Sequence, residues 1–420
     1  MKQSTSTLKK IKLMIPLVLM TAVLGACTSN ASSSTASSSI QAANATSTSQ
    51  TKTNTSDYFA SEDSDASYDE SKATTISLSG SGAKTSGDGA SVVSGSTVTI
   101  SEAGTYVVSG TSENVQIVVK AGDSDKVQIV LNGVTMSGTD AAILVENSGK
   151  TSLTLADGSQ NTISDSSNHS NTDADAAIYS NSDLTLNGSG SLTVDGKYET
   201  AIKSEQTLRV TGGTYTLKAA KNGLSAASAI NIKDATIDIT ATEDAIHADN
   251  DEDTSLGNLY IQSGTIAINA GDDGLHASNI ALIDGGTITV SKSVEALEGT
   301  NVTINGGKLD LYATDDGINA ASDVTGADIF IKITGGDIKV EVGEGDTDAI
   351  DSNGDVIMSG GNLDITSTVS AFDFDGTATY TGGTITVNGE SRTEITADGP
   401  GAGGPGGGGA PGGQGGFGGR

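Results

Sequence analysis

Residues 269–319 read NAGDDGLHASNIALIDGGTITVSKSVEALEGTNVTINGGKLDLYATDDGIN. Paired acids are followed by a small residue and an apolar one, then by alternating pairs such as Val302/Ile304, a Gly-Gly step, and a second pair such as Leu309/Leu311. Alternation at period two places one face of a short strand inward. The phrase recurs. Taking the position before the small residue, repeats start at Thr200, Asn222, Asp244, Asp273, Glu295, Asp316, Asp348 and Ser370, separated by 22, 22, 29, 22, 21, 32 and 22 residues. The two long intervals are a normal repeat plus an insertion, at Asp249–Gly257 and about Ala320–Ala327. A period near 22 in β-branched sequence, with three short strands per turn, predicts an all-β, parallel β-helix solenoid. The Gly-Gly column is expected where the backbone turns through positive φ.

The less regular stretch 74–198 alternates in the same way and is expected to form the first coils and cap, so the solenoid spans 74–396. Residues 27–73 are rich in Ser, Thr, Ala and Asn, and are expected to be a flexible linker. The Gly/Pro-rich stretch 397–420 cannot bury a core and is expected to be a disordered tail.

At the N-terminus, lysines precede an apolar run from Leu13 to Leu24, too short to span a membrane and suited to a signal segment over 1–26. Leu24-Gly25-Ala26-Cys27 resembles a bacterial lipobox, with Cys27, the single cysteine, as the lipidated residue. The expected location is the outer face of the cell membrane, lipid-anchored, as a monomer. With 52 acids against 22 Lys plus Arg, the formal charge is −30. That charge repels nucleic acid and anionic lipid and attracts cations.

The phrases AGTYVVSG, KVQIVLNGVTM, LTLADGSQNTISD and DAAIYSNSDLTLNGSGSLTV, followed by a train of DDG-[IL] repeats, make the chain resemble a carbohydrate-binding domain family of lipid-anchored or secreted bacterial proteins, domain of unknown function 4353. The resemblance implies a right-handed β-helix, calcium on aspartates of the coils in an arrangement similar to family 9 pectate lyases, and plant-type polysaccharide as partner. Residue by residue, it implies calcium ligation by Asp244, Asp272, Asp273, Asp315, Asp316 and Asp348.

The residues themselves point the same way. Stacking at ~4.8 Å puts five acid-bearing repeats on one edge, where neighbouring charges cost ~1 kcal/mol each in water and more where solvent is excluded. Calcium, a hard cation with six to eight oxygen ligands, relieves that repulsion; solvated turn acids are the alternative. Three places further on, His247, His276, Glu298 and Asp351 share an outward column and are expected to face a ligand, as are Tyr260 and Tyr312. His247 and His276 with Asp249 offer a zinc alternative. No catalytic constellation stands out. A calcium-dependent pectate lyase would need a basic residue, for which Lys203, Lys221 and Lys292 are candidates. The expectation is therefore a calcium-dependent binding protein for acidic or plant-type polysaccharide rather than an enzyme, with lyase and structural wall adhesin as alternatives.

Overall fold

The computed structural model describes residues 57–344 and 347–398, all within one compact unit. The expected signal segment, Cys27, the linker up to 56, the tail from 399 and Asp346 lie outside the described residues. Among the described residues the chain is all-β, with 36 strands in one mostly parallel sheet and a single short 3-10 turn. No helix there is long and apolar enough to cross a membrane.

From about residue 143 onward the strands fall into three parallel ladders, each strand pairing with the equivalent strand of the next repeat. One ladder contains Thr200–Ser204, Leu224–Ala226 and Ile246–Ala248; a second contains Thr207–Val210, Ala229–Ile232 and Asn258–Ile261; a third contains Thr214–Ala219, Thr236–Ala241 and Thr265–Asn269. Sequence dictates which face is buried. In Thr236–Ala241 (TIDITA), Ile237 and Ile239 are buried while Thr236, Asp238 and Thr240 are exposed. In-register pairing then stacks Ile237 on Ile266, Ile288, Leu309, Ile338, Leu363 and Ile385. Each such side chain contributes roughly 1.5–3 kcal/mol by burial.

Antiparallel pairs occur only near the two ends of the described chain. Thr74–Gly80 pairs with Gly82–Ser86, Ala90–Val93 with Thr97–Ile100, and Thr384–Val387 with Glu390–Arg392. Such hairpins help blunt the open edges that a parallel stack leaves exposed.

Two sequence expectations need correction. The glycines of the Gly-Gly column serve two different needs. Gly336 has φ +97°, as expected, but its neighbour Gly335 is required by proximity: a Cβ there would lie 2.4 Å from the Asn305 carbonyl oxygen of the preceding repeat. The linker also ends earlier than residue 73. Phe59 and Asp63 are buried, and Ser61–Ser64 forms the 3-10 turn. Asp63 pairs with Lys150 and accepts from Thr185 Oγ1 at 3.0 Å, while its carbonyl accepts from Asn187 Nδ2 at 3.1 Å. One acid and two aromatics among serines suffice to pin this segment to the sheet.

Gly335→Ala is expected to destabilise the protein by about 1–3 kcal/mol, the usual cost of forcing an extra methyl into a packed interior. Chemical denaturation followed by circular dichroism measures it.

Candidate functional site

In most repeats the strands of the first two ladders are separate. In two consecutive repeats they merge into the continuous strands Leu275–Ile283 and Leu297–Ile304. The repeat before them carries the insertion after Ile246–Ala248, and the repeat after them carries the insertion after Ile318–Ala320. Two flat coils between two looped ones make a cleft of about 750 Å3. Its floor is polar and small: Ser278, Asn279, Thr300 and Asn301. Its walls include Asp249 and Asp251 on one side and Asp323 and Asp328 on the other. His276 and Glu298 line its edge, and no lysine or arginine does.

The acid column runs beside this cleft, and its first role is architectural. Asp244 Oδ1 accepts the backbone N–H of Asp273 at 2.9 Å, Asp273 Oδ1 that of Glu295 at 3.3 Å, and Asp316 Oδ1 that of Asp348 at 3.0 Å. In the opposite sense the carbonyls of Asp273, Glu295 and Asp348 accept N–H groups from the preceding repeats. Each acid thus satisfies a backbone donor that the tight turn would otherwise leave without a partner. Gly274 makes room for a neighbouring repeat: a Cβ there would lie 2.7 Å from the Ala296 carbonyl oxygen.

Beyond these bonds, carboxylates accumulate. Oxygens of Asp244, Asp272 and Asp273 lie within 4.8 Å of one another, as do ligand atoms of Asp273, His276 and Glu298. Burial, then the charges of Asp244 and Glu298, push the Asp272 carboxyl above its ordinary range. Burial also lifts Asp273; the bond from His276 opposes it, and Asp244 and Glu298 reinforce it, leaving the group at about 6. Burial acts to raise Asp244 as well, but the hydrogen bond and charge of His247, whose Nδ1 is 2.5 Å away, hold it low. For His276, burial favours the neutral ring, yet bonds to Asp273 and Glu298 carry it to about 11, so it is an imidazolium.

The expected six-aspartate set therefore divides. Asp244, Asp272 and Asp273 converge, whereas Asp315, Asp316 and Asp348 form a separate group further along that does not join either convergent cluster among the described residues. In this second group, burial followed by Asp315 and Asp348 lifts Asp316 to about 6. Burial followed by Asp316, Asp348 and Asp373 lifts Asp351 to about 7. The outward column is confirmed in register, His247 opposite His276, His276 opposite Glu298, and Asn319 opposite Asp351. The zinc alternative does not assemble: the two imidazoles stack at 5.0 Å, each Nδ1 faces its own carboxylate, and His247 Nε2 is 3.8 Å from Asp249.

A family model described as carbohydrate-binding domain-containing protein matches residues 94–349. The chain belongs to that family. The matched region contains the three-aspartate cluster and nearly all of the cleft. A carbohydrate-binding domain-containing protein of Acetivibrio thermocellus is 36% identical over 128 residues, 29% of this chain and 45% of that relative, so the chain spans less than half of the relative's length. A solved structure of the polysaccharide lyase-like protein from C. thermocellum, a gadolinium derivative, aligns at 29% identity with a TM-score of 0.51, covering 60% of this chain and 98% of that one.

Two expected ligand-facing tyrosines of this family member need comment. Tyr260 does point away from the main core, but it is 1% exposed because Tyr58 and Phe59 lie over it, a cover the linker expectation had removed. Tyr312 is half-buried on the third ladder and is not part of the cleft lining. Of the candidate basic residues, Lys221 pairs with Glu199 at 3.1 Å and Lys203 with Asp175 at 2.9 Å, while Lys292 is exposed. None of the three lines the cleft.

Glu295, a repeat start with Val294 rather than an acid before it, has the most raised carboxyl of the column. Burial, then Glu298, raise it to about 8, against a hydrogen bond from Asn319 at 3.0 Å. Between the ordinary value of 4.5 and about 8 the native state keeps this proton while the unfolded state has lost it, so the group's contribution to stability falls progressively across that window and is gone above it. Glu295→Gln is therefore expected to leave Tm nearly unchanged at pH 4.5 and to raise it clearly at pH 8, with an intermediate gain between them. Melting curves at both pH values in chelator check it.

Proposed function

We propose that the protein is a calcium-dependent carbohydrate-binding protein whose polysaccharide lies in the cleft between the two insertions. The observation that carries this reading is a wide cleft, lined in part by carboxylates, hydroxyls and amides, abutting a convergent three-carboxylate cluster within the region that matches the carbohydrate-binding family. Repeats of about 22 residues in three parallel ladders, together with the likeness to the polysaccharide lyase-like structure, support a right-handed parallel β-helix as the scaffold. We place it outside the cell as a monomer, tethered by lipid at Cys27.

The donor set fits calcium. Two oxygens on one ion at about 2.4 Å are at most about 4.8 Å apart, and the oxygens of Asp244, Asp272 and Asp273 meet that limit. All three residues donate hard oxygens, and the charges of Asp244 and then Glu298 raise Asp272 beyond its burial. His276, held between Asp273 and Glu298, orients both carboxylates and neutralises part of their charge. Bound calcium would supply the remaining positive charge and coordinate oxygens of an approaching glycan. Ser278, Asn279, Thr300 and Asn301 present hydroxyl and amide groups along the floor, and Asp249, Asp251, Asp323 and Asp328 offer acceptors to sugar hydroxyls.

An acidic polymer and a chain of charge −30 repel each other without a cation, so glycan and calcium binding should be coupled, which favours an acidic, plant-type polysaccharide such as polygalacturonate. Affinity electrophoresis in polygalacturonate tests this. Retention is expected with calcium and lost with chelator, and Asp272→Asn with Asp273→Asn is expected to weaken calcium binding at least tenfold. Retention unchanged by chelator would refute the coupling.

The polysaccharide lyase-like neighbour motivates a second reading, lyase activity. Against it, the cleft lining has no lysine or arginine to take a proton, and His276 is already protonated between two acids. Incubation with polygalacturonate and calcium is expected to give no ultraviolet-absorbing unsaturated product; its appearance would establish the lyase.

A further inference from the structure

Away from the cleft, the second ladder carries an outward column in which Thr185 sits beside Arg209, Arg209 beside Asn231, Asn231 beside Tyr260 and Tyr260 beside Leu282. In Asn258–Ile261, Leu259 and Ile261 join the main core, whereas Tyr260 belongs to a separate cluster with Phe59 and Leu282. The Tyr58 ring lies on Tyr260 with centroids 3.9 Å apart and planes 28° apart. Tyr260 Oη donates to Asp284 at 2.8 Å. The carbonyl of Tyr58 accepts from Arg209 Nε at 3.1 Å and from Asn231 Nδ2 at 3.2 Å. The other end of that amide, Asn231 Oδ1, is buried without a partner on a residue 4% exposed.

We propose that Tyr260, Arg209, Asn231 and Asp284 form a second sugar-binding platform, and that Tyr58 occupies it as a displaceable stand-in for a pyranose ring. An open tyrosine face ringed by donors and acceptors suits a sugar, whose C–H face stacks while its hydroxyls bond at the rim. The peptide satisfies this ring only in part. It offers one carbonyl and leaves Asn231 Oδ1 unpaired, a buried acceptor whose lost hydration nothing offsets. A hydroxyl both donates and accepts, so a sugar meets both ends of the amide. Arg209 is neutralised by Asp183 at 2.8 Å, and Asp284 adds negative charge, so the ligand class is a neutral glycan. Flat β-linked glucose rings, with equatorial hydroxyls and C–H faces, match a stacking platform best. Release needs only a local change. Asp63, paired with Lys150, bonded to Thr185 and 3.7 Å from Arg209, anchors the segment beyond the two aromatics, so Tyr58 and Phe59 can lift while Asp63 stays.

The test compares the full chain with Tyr58→Ala/Phe59→Ala and with the triple variant that adds Tyr260→Ala, titrated calorimetrically with cellohexaose. A built-in occupant lowers apparent affinity by the fraction of time the platform is open. The double variant is expected to bind about tenfold more tightly, the gain to survive chelator, and Tyr260→Ala to abolish it. Chelator insensitivity separates this platform from the calcium-coupled cleft. Unchanged affinity in the double variant, with the circular dichroism spectrum and Tm showing an intact sheet, would overturn the proposal. So would a gain that persists without Tyr260 or disappears with chelator. Tyr58→Ala alone, which keeps Phe59 beneath the Lys233 ammonium at 4.6 Å, is a milder variant expected to show a smaller gain in the same direction.

Discussion

Parallel, in-register pairing sets the strand side chains of the three ladders on their counterparts in the next repeat, about 4.8 Å away. The constraint cannot be applied to some columns and waived for others. Where the column is isoleucine and leucine, as from Ile237 to Ile385, stacking builds the core. Where it is acidic, as from Asp244 to Asp348, the same spacing concentrates negative charge along an edge that a globular fold would disperse. The chain answers that charge in two ways. Asp244, Asp273 and Asp316 each take a backbone N–H from the next repeat, and His247 and His276 set imidazoles against Asp244, Asp273 and Glu298. What these leave over, centred on Asp272, is the reason for expecting a divalent cation.

The cleft follows from the same regularity by local departure from it. A repeat that inserts residues between two ladders must push them outward, because its strands remain locked in register above and below. Two such insertions, separated by two uninserted repeats, necessarily frame a trough. Ser278, Asn279, Thr300 and Asn301 in its lining give a hydroxyl-rich ligand hydrogen-bonding partners. The acid cluster lies at the edge of that trough because the column precedes the first-ladder strand by only a few residues.

Much of this was legible in the sequence because it is periodic. The 22-residue spacing, the inward Ile and Leu pairs, both insertions and the partner columns of His247, His276 and Glu298 could be read from residue order alone, since stacking converts sequence spacing into spatial neighbours. What escaped was aperiodic or depended on a third partner. Nothing in the repeat indicates that Gly335 is needed for the approach of Asn305 rather than for φ. Splitting of the six aspartates into two groups follows from the repeat between them, where Val294-Glu295 stands in place of paired aspartates and sets Asp273 and Asp316 two repeats apart. The cover over Tyr260 comes from residues some 200 positions earlier in a serine-rich stretch, where a Tyr-Phe pair and an Asp were the sole signals.

The central claim is that the edge beside the cleft holds a calcium ion on three named carboxylates. A crystal structure of the protein grown with calcium, with anomalous scattering used to locate the metal, tests it directly. The account predicts an ion bound by oxygens of Asp244, Asp272 and Asp273 at about 2.3–2.6 Å, with His276 still turned to Glu298. Density for calcium solely at Asp316 and Asp348, or none anywhere along the column, would contradict it.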